Sequence, residues 1–156
     1  MLKLRKNKKG FTLVELIVVI AIMAVLAGVV AGVTVSQLNK NTDKTNLSQA
    51  KGIADFVAGE IADNTSEVYV NGELNSEKIL AAIKTQYTSV NFATNNNAIA
   101  DAPANKGQFA VKVTETNGKV TSIDILYKNK SGSGEIKGYT VSDNGVITNY
   151  QAPAGN

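Results

Sequence analysis

Gly10-Phe11-Thr12-Leu13-Val14-Glu15, together with the apolar run Leu16 to Val33 that follows it, decides how the rest of the chain must be arranged. Phe11 to Val33 holds 23 residues and one charged side chain, Glu15. A helix of about 20 apolar residues crosses the hydrocarbon core of a bilayer. A carboxylate near the start of such a helix is costly and calls for a partner. Directly before the run lie Lys3, Arg5, Lys6, Lys8 and Lys9. Basic residues on that flank predict a cytoplasmic N-terminus and an exported C-terminus.

Two simple readings compete for this region. A secretory signal peptide has a basic start and an apolar middle, and cleavage would follow the run. Ala27, Val30 and Ala31 offer small residues there, although the run is long for such a peptide. A plain signal anchor is the other. Neither gives Glu15 a role.

Composition narrows the remainder. Residues 1–10 carry five of the sixteen Lys+Arg and none of the thirteen Asp+Glu, leaving eleven basic against thirteen acidic, a net −2. A mildly acidic body with a basic tip does not fit a dedicated nucleic-acid surface. The chain has no Cys and no His, which removes thiolate and imidazole zinc sites, Cys nucleophiles and Ser-His-Asp triads. An exported domain here is held without disulfides. At 156 residues, one domain beyond the apolar segment is expected.

Lys8-Lys9-Gly10-Phe11-Thr12-Leu13-Val14-Glu15-Leu16-Ile17-Val18-Val19-Ile20-Ala21-Ile22 resembles the signal of type IV pilins and type II secretion pseudopilins. The likeness covers about Lys8 to Ala27. It implies a prepilin peptidase that cuts between Gly10 and Phe11 and methylates the new amine of Phe11. It also implies that the apolar helix stays with the mature protein as anchor and polymerisation element. By the same resemblance Glu15 pairs with the Phe11 amine of a neighbouring subunit, with Thr12 assisting. The implied partners are other pilin subunits, the peptidase, a pilus assembly ATPase and a platform protein. No cofactor, metal or catalytic residue is implied. The protein would be a single-pass membrane protein before assembly and part of an extracellular fibre afterwards. Gly10 suits a cleavage site physically, having no Cβ to obstruct an extended backbone. Phe11 and Glu15 lie four apart, on one face of a helix that includes both.

Ala24, Gly28 and Gly32 recur every four residues, and Gly28 to Gly32 reads G-x-x-x-G, a pattern that lets membrane helices approach closely. Pilins often have a proline near the position of Gly32, so a proline kink is not expected here. The predicted division is a leader at 1–10, a transmembrane and polymerisation half-helix at 11–37, and an exported head at 38–156.

Asn39 to Lys44 is polar enough to fray. Beyond it Leu47, Ala50, Ala54, Val57 and Ile61, with Ile53 and Phe56 near the same face, predict an amphipathic helix. Unbroken from Phe11 to Ala62, that helix would be about 78 Å long. Asn64-Thr65-Ser66 ends it. Val68-Tyr69-Val70 and Asn71-Gly72 predict a short strand and turn, and Ser76 an N-cap for a helix over about Glu77 to Thr85. Asn91 to Lys106 reads as a surface loop. Phe109 to Thr114 and Val120 to Tyr127 alternate around Asn117-Gly118, a hairpin signal. Ser131 to Gly134 reads as a flexible loop, Ile136 to Val141 as a third strand, and Val146 to Tyr150 as a fourth after the Asp143-Asn144-Gly145 turn. The tail, Gln151 to Asn156, is expected to be loose. The fold class is α+β and pilin-like: a long N-terminal helix packed on a C-terminal antiparallel sheet of about four strands.

The remaining candidates are weak. Asp55, Glu60, Asp63 and Glu67 read as a solvated helix face and its end, and Asp124 as an outward strand position. Asp143-Asn144-Gly145 is too short for a calcium loop. Asn46-Leu47-Ser48, Asn64-Thr65-Ser66 and Asn129-Lys130-Ser131 match the N-x-S/T pattern, which is frequent by chance. The expected function is a structural subunit of a type IV pilus or pilus-like fibre, not an enzyme. A minor pilin or pseudopilin stands beside it, and a single-pass anchored ligand-binding protein is the alternative from another class.

Overall fold

The computed structural model describes residues 10–96 and 98–153. It divides into two compact units after Leu38. Residues 1–9 of the predicted leader and the last three residues of the predicted loose tail lie outside the described residues.

The first unit is the apolar part of helix α1 (Leu13–Ala62) with the three residues before it. Every residue from Gly10 to Leu38 is exposed, on all faces of the helix. A helix that is apolar all round and covered by none of the described residues requires an apolar medium or partner helices. It is long and apolar enough to cross a membrane. Thr34 is accommodated in it by donating its hydroxyl to the Val30 carbonyl at 2.8 Å. The helix begins at Leu13, two residues later than expected, because Thr12 serves as its cap.

The second unit starts at Asn39 and is built on the last part of α1. Here the apolar stripe takes over. Ala50, Ile53, Ala54, Val57 and Ile61 are all buried. Strands β1 (Tyr69–Val70) and β2 (Glu73–Leu74) form a small hairpin around Asn71 and Gly72, both at positive φ. Helix α2 (Ser76–Gln86) follows. Its N-cap is Asn75, one residue before the expected Ser76; the Asn75 side chain accepts from the Lys78 N–H at 3.0 Å. Tyr87 ties α2 to α1, donating its hydroxyl to the Gly52 carbonyl at 2.9 Å and packing edge-on to Phe56.

Residues 91–106 are not a plain surface loop. They contain a second small hairpin, β3 (Thr94–Asn95) with β4 (Ala98–Ile99), and bury Ala93, Ile99 and Pro103. Phe92 bridges to Phe109, so this segment covers the edge of the main sheet.

The main sheet is an antiparallel meander, β5 (Phe109–Thr116), β6 (Lys119–Lys128), β7 (Ile136–Ser142) and β8 (Ile147–Asn149), in the order β5-β6-β7-β8. Asn117 and Gly118 close its first hairpin at φ 54° and 76°. Val111, Ile123, Ile125, Tyr127 and Val141 join the α1 stripe, with Ile79 and Ile83 of α2, in one core. The helix stripe and the sheet face bury each other, as the α+β class requires. β6 runs antiparallel to α1. Its Tyr127 end meets the start of the helical segment at Asp43, while the Asp143–Gly145 turn, hydrogen-bonded to Thr121, lies against Ala58 and Ile61.

Candidate functional site

Two places in the chain concentrate polar groups in an unusual setting. The first is the start of α1. The Thr12 N–H and the Thr12 hydroxyl both donate to Glu15 Oε2, each at 2.8 Å. In return the Glu15 N–H donates to the Thr12 hydroxyl oxygen at 3.3 Å. Thr12-Leu13-Val14-Glu15 is therefore a reciprocal capping box, with Thr12 as N-cap. It satisfies helix N–H groups that an apolar surrounding would leave costly. Glu15 Oε1 takes no hydrogen bond among the described residues, so one carboxylate oxygen stays open.

The structure brings Thr12 and Glu15 together and leaves Phe11 outside the helix, 91 % exposed. Gly10 likewise lies outside the helix and is exposed, with nothing within 4 Å of the place a Cβ would occupy. Gly28 and Gly32 also have open space there, and Ala24 is exposed. All three small residues lie on a helix that none of the described residues covers.

The second place is Asp43, 8 % exposed and the buried charged residue of the second unit. Its Oδ1 accepts from the Tyr127 hydroxyl and the Lys130 N–H, both at 2.7 Å. Its Oδ2 accepts from the Ser131 N–H at 2.9 Å and the Ser131 hydroxyl at 2.5 Å. Asn46 completes the network by donating to the Tyr127 hydroxyl oxygen at 3.0 Å. Burial alone would raise the Asp43 carboxyl, but the Ser131, Lys130 and Tyr127 donors outweigh it and bring the pKa down to about 2. Burial raises the Tyr127 hydroxyl above its ordinary value, which keeps it a donor. The segment expected to fray is therefore pinned, and the expected flexible loop Ser131 to Gly134 is its anchor. Sequence reasoning missed this site although a signal was present. Asp43, Leu47, Ala50, Ala54, Val57 and Ile61 follow 4,3,4,3,4 spacing, so Asp43 lies in phase with the buried stripe.

The other acidic residues form no comparable constellation. Lys51 pairs with Asp55, Lys119 with Glu73 and Lys137 with Glu135, all exposed. Asp124 accepts from the Thr140 hydroxyl at 2.7 Å. Among the described residues no group of three His, Cys, Asp or Glu side chains is placed to hold a metal ion. A cleft of about 380 Å³ lies between Leu47 and the β7–β8 edge. Its charged lining residues, Glu135 and Lys137, are spent on each other at 3.2 Å.

Residues 5–31 match the family described as the prokaryotic N-terminal methylation motif. The chain carries a type IV pilin/pseudopilin prepilin signal. No curated protein and no solved structure matches the chain. The matched residues run from Arg5 through Gly10, Phe11 and the capping box to Ala31 of α1. It is a motif of structural, pilin-type proteins rather than of an enzyme family. A prepilin signal joined to one long apolar helix fits a membrane-anchored protein.

Proposed function

We propose that the chain is a prepilin whose mature form is a structural subunit of a type IV pilus or pilus-like fibre. The observation that carries this reading is the helix from Leu13 to Leu38, apolar, capped by Thr12 and Glu15, and covered by none of the described residues. A prepilin peptidase cuts between Gly10 and Phe11 and methylates the Phe11 amine. Cleavage turns Phe11 into a cation directly ahead of the capping box. The open oxygen of Glu15 then receives the Phe11 amine of a neighbouring subunit, an attraction strengthened by the low dielectric of a packed helical core. Thr12 holds the other oxygen and so orients the carboxylate.

In assembly the segment 11–37 exchanges lipid for copies of itself, and Ala24, Gly28 and Gly32 allow close approach of those helices. Residues 38–156 form the exported head. The leader stays cytoplasmic, and extension relies on a cytoplasmic ATPase and a platform protein. Subunit contacts that do not close on themselves give an open filament.

Mass spectrometry of the mature N-terminus tests the reading. The expected product begins at N-methylated Phe11. An intact Met1 on the membrane form would make the protein a plain anchor for a binding domain, and a start downstream of Val33 would make the helix a discarded signal. Proteomics of sheared fibres separates a major subunit from a minor pilin or pseudopilin, which carry the same motif.

A further inference from the structure

The head is electrically polarised along α1. At the end where α1 enters the second unit, Lys40 and Lys44 are exposed on the helix beside Asp43. The network that pins Asp43 brings three more lysines to the same end. Lys130 donates its N–H to Asp43. Lys106 reaches across to the Gly132 carbonyl at 2.6 Å, and Lys128 to the Ala104 carbonyl at 3.0 Å. Neutral carbonyls leave those charges uncompensated. Of the carboxylates beside them, Asp43 is buried and consumed by four hydrogen bonds, and Glu135, next to Asn129, is paired with Lys137 at 3.2 Å. None of these five lysines forms an ion pair among the described residues.

The opposite end is acidic. Glu60, Asp63 and Glu67 surround the C-terminus of α1, and Asp143 opens the turn that packs on Ala58 and Ile61. Lys119 at this end is already paired with Glu73 at 2.9 Å. The last turn of α1 contains no basic residue. A helix C-terminus carries a partial negative charge, and acidic side chains there are unfavourable. The isolated subunit thus holds like charges against the negative end of its own helix, an arrangement that a cation brought from outside would relieve.

We infer that the basic end of one head, Lys40, Lys44, Lys106, Lys128 and Lys130, receives the acidic end of a second copy of this chain, Glu60, Asp63, Glu67 and Asp143. This rests on the filament reading above and adds to it an electrostatic head-to-tail contact that fixes polarity and order along the fibre. The two surfaces lie on different ends of one unit, so the contact is heterologous and propagates rather than closing into a pair. Opposite potentials speed encounter, and like ends repel, which disfavours head-to-head joining.

The test is charge swapping in the full-length protein in cells that display its fibres. Lys40→Glu with Lys44→Glu changes two exposed helix residues and leaves the Asp43 network in place. Processing at Phe11 is expected to be normal and sheared-fibre yield to fall by about tenfold or more. Asp63→Lys with Glu67→Lys is expected to do the same, and the four changes together to restore yield to within about twofold of wild type. Wild-type fibres are also expected to weaken as salt rises to about 0.5 M, where screening is strong. A quadruple variant no better than either double, or doubles that assemble like wild type, overturns the contact. Normal fibres from the lysine double variant, combined with its loss of binding to phosphatidylglycerol vesicles, would also overturn it and mark the basic end as a lipid-headgroup surface. Failure of the prepilin reading itself looks different: wild type would then give neither methylated Phe11 nor fibres.

Discussion

Replacing Asp43 with alanine removes the acceptor for four donors at once. The Lys130 and Ser131 groups lie near the surface and recover water, whereas the Tyr127 hydroxyl sits on a fully buried ring. Hydrogen bonds to a charged group contribute about 1.5–3 kcal/mol each before such recovery, so the net loss expected for Asp43→Ala is about 3 kcal/mol. The same hydrogen bonds also show in the ionisation of Asp43. Lowering the Asp43 pKa from 3.8 to about 2 corresponds to about 2 kcal/mol of preference for the charged form. Because the folded pKa lies below the unfolded one, this stability is fully present above the unfolded value and disappears as pH falls through the folded value of about 2.

The assay is thermal unfolding of the detergent-solubilised full chain, followed through the tyrosine signal of the head. Asp43→Ala is expected to lower Tm by about 10 °C for a domain of this size. Tyr127→Phe, which removes one of the four donors, is expected to cost about 1 kcal/mol. Between about pH 5 and about pH 2, wild type should lose about 2 kcal/mol more stability than Asp43→Asn. An Asp43→Ala protein within about 0.5 kcal/mol of wild type would refute the reasoning. So would parallel acid profiles for wild type and Asp43→Asn.

Three other perturbations follow from the same geometry. Glu15→Gln keeps a capping-box side chain but removes the charge; it should be inserted and processed yet fail to enter fibres, and wild-type fibre yield from it would remove the role given to the Glu15 charge. Gly10→Val should block processing, read as retention of the leader by mass spectrometry, and normal cleavage would overturn the peptidase assignment. A Cβ on Gly138 would lie 1.9 Å from the Ile125 carbonyl oxygen, a backbone atom that cannot swing aside. Gly138→Ala should therefore cost about 3 kcal/mol in denaturant unfolding, and a near-neutral result would show that β6 and β7 separate more easily than their packing implies.

Much of the head was legible because its signals are periodic. The 3,4 spacing from Leu47 to Ile61 located the buried stripe of α1, and Asn117-Gly118 between two alternating runs located β5 and β6. The errors cluster where tertiary contacts override local composition. Asn91 to Lys106 is polar and rich in alanine, yet Phe92 and Ile99 draw it onto the sheet edge. Ser131 to Gly134 resembles a linker, yet Gly132 and Gly134 adopt positive φ in an ordered turn whose Ser131 holds Asp43.

The sequence by itself determined the membrane-competent helix, the prepilin signal at its start and the class of the fold. Those properties depend on local spacing and on the count of apolar residues, which survive without knowledge of any neighbour. Only the tertiary structure decided that Asp43 is a buried latch and that the head carries opposite charges at its two ends. The latch joins groups more than 80 residues apart in the chain, and folding alone sets which donors meet a carboxylate and which lysines share a surface.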